Sequence, residues 1–189
     1  MENLIRSSKL HRLVKLMMDS GEAASVEEAE QILSRYRLAI QVDKGAAAST
    51  AYQAGLLTAV NTGRRCFLGG VQVSGDLDIP LRIPWRRCSI LAEAINDLQG
   101  QIVSEPEPGL PLIYFGDAVL EDTSHEFSVR PVVCGWNGGM LPTRDPISIS
   151  LEETFTPAGV LAGALAVSEA FQFTRGDNTL AGHRSVGLS

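Results

Sequence analysis

Cysteine is scarce in this chain: Cys66, Cys88 and Cys134 are widely spaced, odd in number and include no CxxC pair. Such a set encodes neither a disulfide framework nor a structural zinc site, and it fits a reducing compartment. Positive charge is also short, with 16 Lys and Arg against 22 Asp and Glu and a net charge of −6. That balance argues against binding along a phosphate backbone, so nucleic acid is not an expected partner. A long apolar run is missing too. Arg6, Lys9, Arg12 and Lys15 break up the first sixteen residues, which excludes a signal-peptide core. The longest apolar stretch, from Ala158 to Phe173, contains Ser168 and Glu169 and falls short of the roughly 20 residues of a membrane span. Neither export nor a membrane is expected, and the cytoplasm is the expected location.

What is present alternates between helical and extended patterns. Leu10, Leu13, Val14 and Met17 form one apolar stripe opposite Lys9, Arg12 and Lys15, and Gly21 ends that helix. Ser25 and Glu28 have capping-box spacing and open a second helix with the stripe Val26, Ala29, Ile32, Leu33 and Tyr36. Residues 1–37 therefore read as a helical-hairpin preface, and residues 38–189 as an α/β domain. In that domain Leu38, Ile40 and Val42 alternate as a strand, and alanine-rich residues 46–62 form a helix. Residues 67–73 and 77–83 read as a hairpin around Ser74-Gly75-Asp76, with Pro80 confining the second strand to an edge. Ser89 is the expected cap of a helix through Leu98, with Gly100 in the left-handed position beyond it. A proline-rich connector over 104–111 leads to Leu112-Ile113-Tyr114-Phe115, a strand of the kind buried on both faces by helices. Residues 127–134 and the alternating Ile147, Ile149 and Leu151 read as further strands, and Thr156 with Pro157 opens a last helix running to Gly176. The helix's small residues, Ala158, Gly159, Ala162, Gly163 and Ala166, require a closely approaching neighbour.

No complete catalytic motif accompanies this framework. A phosphate-binding turn is sought after the buried strand, but Gly116-Asp117 leads into Glu121 and Asp122, carboxylates that repel phosphate. Gly135-Trp136-Asn137-Gly138-Gly139 reads as a strand-exit loop anchored by a buried tryptophan. His11, His125 and His183 are dispersed, so neither a metal site nor a base for Cys66 is indicated, and no catalytic residue is assigned. Arg64-Arg65 and Arg82 with Arg86-Arg87 read as solvated charge or, alternatively, as anion-recognising clusters.

Residues 161–171 (LAGALAVSEAF) followed by Arg175-Gly176-Asp177, the stretch Arg64 to Val71, and Pro111 to Gly116 resemble the adenylation fold of ThiF/MoeB-type, ubiquitin-activating-like bacterial proteins. The resemblance implies a degenerate Rossmann-like adenylation fold with a mixed or parallel sheet. In that family two such folds pair, and the active one binds ATP and magnesium to adenylate the carboxyl terminus of a ubiquitin-like protein. The GxGxxG loop, the magnesium-binding aspartates, the zinc CxxC pairs and a thioester cysteine are unmatched, so the chain resembles the inactive half. Its partner would be an active adenylation domain, and the ubiquitin-like protein would be met indirectly. Arg64 or Arg65 would supply the arginine that reaches the partner's ATP. Gly187-Leu188-Ser189 ends without a terminal cap, and the chain is expected to be a piece of a longer activating protein. Two other readings stand beside this one: an interaction adaptor using the helical hairpin, and an enzyme with a site around Cys66.

Overall fold

The computed structural model describes residues 12–120 and 124–188; Lys9, Leu10 and His11, and Glu121 and Asp122, lie outside them. A first helix, α1, covers residues 12–19, and α2 (Val26–Leu33) follows. At the start of α2, Ser25 Oγ accepts from the Glu28 amide at 3.1 Å, while the Glu28 carboxylate accepts from the Ala24 amide at 2.8 Å. Both expected helices are present over the described residues, and they bury Val14, Met17, Ala23, Ala29 and Leu33 in a small cluster of their own. It is tied to the rest by an ion pair from Glu22 to Arg175 and by Tyr36 packed edge-on against Phe171.

The domain then runs β1 (Arg37–Val42), α3 (Lys44–Ala48), α4 (Thr50–Cys66), β2 (Gly70–Gly75), α5 (Leu91–Asp97), β3 (Gln101–Ile102), β4 (Leu112–Phe115), β5 (Ser128–Cys134), β6 (Asn137–Pro142), α6 (Thr156–Arg175) and β7 (Val186–Leu188). One sheet holds all the strands in the order β3-β2-β1-β4-β5-β6-β7. β1 to β5 are parallel, and β6 and β7 continue antiparallel. This mixed α/β arrangement is the Rossmann-like one expected, and the strand order reverses between β1 and β4.

Two expected strands do not form. Residues 77–83 contribute only a single bridge, Pro80 to Ile90, because both edges of β2 are already taken by β1 and β3. Residues 147–151 are irregular, and Ile147 is exposed. Cap positions shift as well. Glu93, not Ser89, serves α5, accepting from the Ser89 amide at 2.6 Å, and Gln99 rather than Gly100 takes the left-handed conformation beyond it. α6 is preceded by Phe155, so Thr156 is its first residue and Pro157 its second.

The helices α3 to α6 share one face of the sheet. Leu38, Ile40, Val42, Val71, Val73, Ile113, Phe115, Val129, Val133 and Met140 point into the core beneath them. Residues of the opposite parity, Ala39, Gln72, Ser74, Leu112, Tyr114, Arg130 and Leu141, are buried but lie outside that core. Leu112 to Phe115 are buried on both faces as expected, but among the described residues loops rather than helices cover the second one. The Glu107 amide, for example, donates to Gln72 Oε1 at 2.8 Å.

α4 and α6 meet backbone to backbone. A Cβ added to Gly159 would fall 1.9 Å from the Ala51 carbonyl oxygen, and one on Gly163 would fall 2.2 Å from that of Gly55. The small residues of α6 are required by this approach, as the sequence anticipates.

Candidate functional site at the sheet switch point

In an open α/β sheet, ligands bind beyond the carboxyl ends of the strands where the order reverses, and the first strand–helix turn carries the phosphate-binding glycines. The topology puts that turn after Val42, not after Phe115 where the sequence pattern directs attention. Its sequence is Asp43-Lys44-Gly45-Ala46-Ala47-Ala48-Ser49, with one glycine where the motif has three.

The turn is folded onto itself. Asp43 Oδ1 accepts from the Ala46 amide at 2.8 Å and caps α3, and the Tyr114 hydroxyl donates to Asp43 Oδ2 at 3.3 Å. Burial, with Asp43 close by, pushes the Tyr114 phenol up to about 12, so it stays protonated as the donor. The backbone at Gly116 passes so near that a Cβ there would fall 2.4 Å from Asp43 Oδ2. A carboxylate therefore stands at the mouth of the crevice where an incoming phosphate would need positive potential.

Residues 144–154 run from the loop-covered face, over the carboxyl ends of the strands, to α6. We call this segment the strap. The Glu153 carbonyl accepts from Ser49 Oγ at 2.8 Å and from the Ala51 amide at 3.4 Å, and so engages donors at the start of α4. Tyr52, buried and with its phenol pushed up to about 12 by desolvation, donates its hydroxyl to the Ser150 carbonyl and accepts from the Val133 amide, both at 3.3 Å. Leu151 lies against Gly45, 2.7 Å from the position a Cβ would take. Beside the strap lies an open cleft of about 370 Å³, in which Arg82 faces Glu152 and Glu153. Gln53, fully buried, orders the Arg82 wall by donating to the carbonyls of Ala47 (2.8 Å) and Pro80 (3.0 Å) and accepting from the Arg82 amide (2.6 Å).

Arg82 apart, the residues singled out by sequence lie elsewhere. Arg64 and Arg65 occupy the last turn of α4, about 21–23 Å along the helix from its start by helical rise. Arg64 Nη1 donates to Gln99 Oε1 at 2.7 Å, and Arg65 is exposed. Cys66 follows them, and burial pushes its thiol up against the weaker opposing effect of Arg65, which is the reverse of an activated nucleophile. Trp136 corrects its expectation: it is 82% exposed at the tip of the β5–β6 hairpin, resting on Phe155 with ring centroids 4.4 Å apart. Gly135, at φ 57°, takes the first position of the two-residue turn, leaving the indole at the outward one. Among the described residues no three His, Cys, Asp or Glu side chains gather as a metal-binding group, and no helix is long and apolar enough to cross a membrane.

Fold and crevice together define a Rossmann-like α/β domain whose first strand–helix turn is taken up by internal contacts. The chain belongs to the BilD N-terminal domain family, whose model matches residues 37–189, beginning at the first residue of β1. It is 36% identical over 181 residues to the bacterial E1-like protein BilD of Collimonas sp. (strain OK412), a match that covers 95% of this chain and 39% of that protein. The chain is thus related to a bacterial E1-like protein and spans about two fifths of that relative's length.

Proposed function

We propose that this domain is the non-catalytic half of a ubiquitin-like-protein activating system, working by contact with an active adenylation domain. ATP and magnesium belong to that partner, which adenylates the ubiquitin-like protein, and this chain meets the latter only indirectly. One observation carries the reading: the turn after β1 spends its donors internally, on Asp43 and on the strap carbonyl of Glu153, and sets a carboxylate at the mouth of the crevice. A triphosphate needs those amides free and that charge absent. The relative's E1-like description supports the adenylation theme, and its greater length leaves room for a companion domain.

Arg64 and Arg65 are the residues proposed to reach the partner's ATP. Their support is the free position of Arg65 at an exposed helix end, where its guanidinium is available to a neighbour. ATP–pyrophosphate exchange tests both statements. The chain by itself is expected to be silent, and exchange is expected once an active adenylation domain of the same system is added. Arg64→Ala with Arg65→Ala is expected to lower the exchange of the pair by about tenfold or more, as loss of a charge-stabilising group does. Turnover by this chain alone overturns the non-catalytic reading; undiminished exchange with the double variant removes only the arginine assignment.

A further inference from the structure

Arg130, on β5, is 0% exposed, and it lies on the face of the sheet that no described helix covers. A buried guanidinium ordinarily has a carboxylate partner, because desolvating an unpaired charge is costly. Here its hydrogen bonds go to main-chain carbonyls alone. Nη1 donates to the Asp117 carbonyl at 2.9 Å, and Nη2 donates to those of Asp145, at 2.6 Å, and Ile147. Asp117 belongs to the turn after β4, while Asp145 and Ile147 begin the strap. One planar donor fork therefore joins the wall of the switch-point crevice to the segment that crosses it. Beyond Ile147 the strap is held by the Tyr52 hydroxyl at Ser150, by the Leu151 side chain against Gly45 and the core, and by the Glu153 carbonyl, which accepts from Ser49 Oγ and the Ala51 amide. Ile147 itself is 54% exposed, so apolar burial does not hold that part of the strap down.

We infer that Arg130 is the positioning residue of a latch: its guanidinium fixes the strap across the crevice, and the strap opens as one unit when that fork is lost. A cation is used because three converging carbonyls need several donors from a single side chain, and only arginine supplies them in a plane. Closure of the crevice is then a property of the strap as well as of the turn after β1. The inference stands on this geometry and holds whether or not the domain pairs with an active half.

Hydrogen exchange read by mass spectrometry on the whole chain tests it, comparing the wild type with Arg130→Lys, Arg130→Met and Leu151→Ala. Lysine keeps the buried charge but cannot span three carbonyls. Peptides covering 144–154 and 117–120 are expected to exchange roughly ten- to hundredfold faster in both Arg130 variants. Peptides from β1, β4 and α6 are expected to keep their wild-type rates. Leu151→Ala is expected to speed exchange in 148–154 while leaving 144–147 protected, because the fork is intact. A glutamate-specific protease is expected to cut after Glu152 sooner in the Arg130 variants than in the wild type. Unchanged strap protection in Arg130→Lys and Arg130→Met overturns the inference, as does a strap that is already unprotected in the wild type. Uniform loosening of the core, or failure of both Arg130 variants to fold, makes Arg130 a determinant of the entire fold and overturns the local assignment equally.

Discussion

Single polar side chains, more than apolar ones, decide what the crevice can do. Asp43 converts a turn that could present amides into one that consumes them, and Gln53 does the same for the neighbouring loop. Its amide satisfies two carbonyls and one backbone N–H with no water needed. Gln53→Ala leaves one buried and two half-buried backbone groups without their partner, so the variant is expected to lose about 1–3 kcal/mol, read as a lower urea midpoint at unchanged slope. A loss under about 0.5 kcal/mol would mean that the loop re-pairs with solvent. The sequence gives little warning of this residue. Glutamine inside an alanine-rich helix looks like a surface position, and its role depends on Pro80 and Arg82 arriving from a loop whose path is fixed only in three dimensions.

Elements with strong periodic signals are the legible ones. The stripe of α5, the Ser25–Glu28 box and the small-residue faces of α6 follow from local spacing and are found in the structure, as are Val14 and Met17 of the α1 stripe and Ala29 and Leu33 of the α2 stripe, whereas Val26 is exposed and Leu10 lies outside the described residues. Period-two patterns mislead where no partner edge is free: residues 77–83 and 147–151 alternate like strands, yet both sides of β2 are occupied and the strap crosses the strand ends instead. The crevice was legible only in part. The missing glycine motif can be read from sequence, but the turn that should carry it is identified by β1 lying beside β4 where the strand order reverses, which no local pattern encodes. The α4–α6 contact is the firmest element-scale claim. Gly159→Ala sets a methyl group against the Ala51 carbonyl and must push the helices apart, so it is expected to cost about 1–3 kcal/mol or more by thermal or urea unfolding. Val160→Ala, on the exposed side of the same helix, is expected to change stability by less than about 0.5 kcal/mol.

At the scale of the whole molecule, the helical hairpin is joined to the sheet domain through few contacts, and its charged link is sensitive to acid. The hydrogen bond from Arg175, followed by that from Ser20, holds the Glu22 carboxyl below its ordinary 4.5. The unfolded or undocked form therefore binds the proton more readily. The contribution of this link is present in full above pH 4.5 and is lost as pH falls through the lower value of the docked state. Amides of α1 and α2 are expected to lose exchange protection over that range while β1 and β4 retain theirs, and Glu22→Gln is expected to flatten the dependence. Equal acid loosening of hairpin and sheet would place the sensitivity elsewhere.

The close fit of α4 against α6 also bears on how the domain is made. Gly55 emerges during synthesis about a hundred residues ahead of Gly163, the residue that packs on it. β1, an interior strand of the sheet, likewise waits for β4. Until α6 has left the ribosome, the face of α4 that it covers stays open, so the nascent chain must remain soluble with that apolar face uncovered. Completion of this core falls to α6, the later of the two helices in the chain.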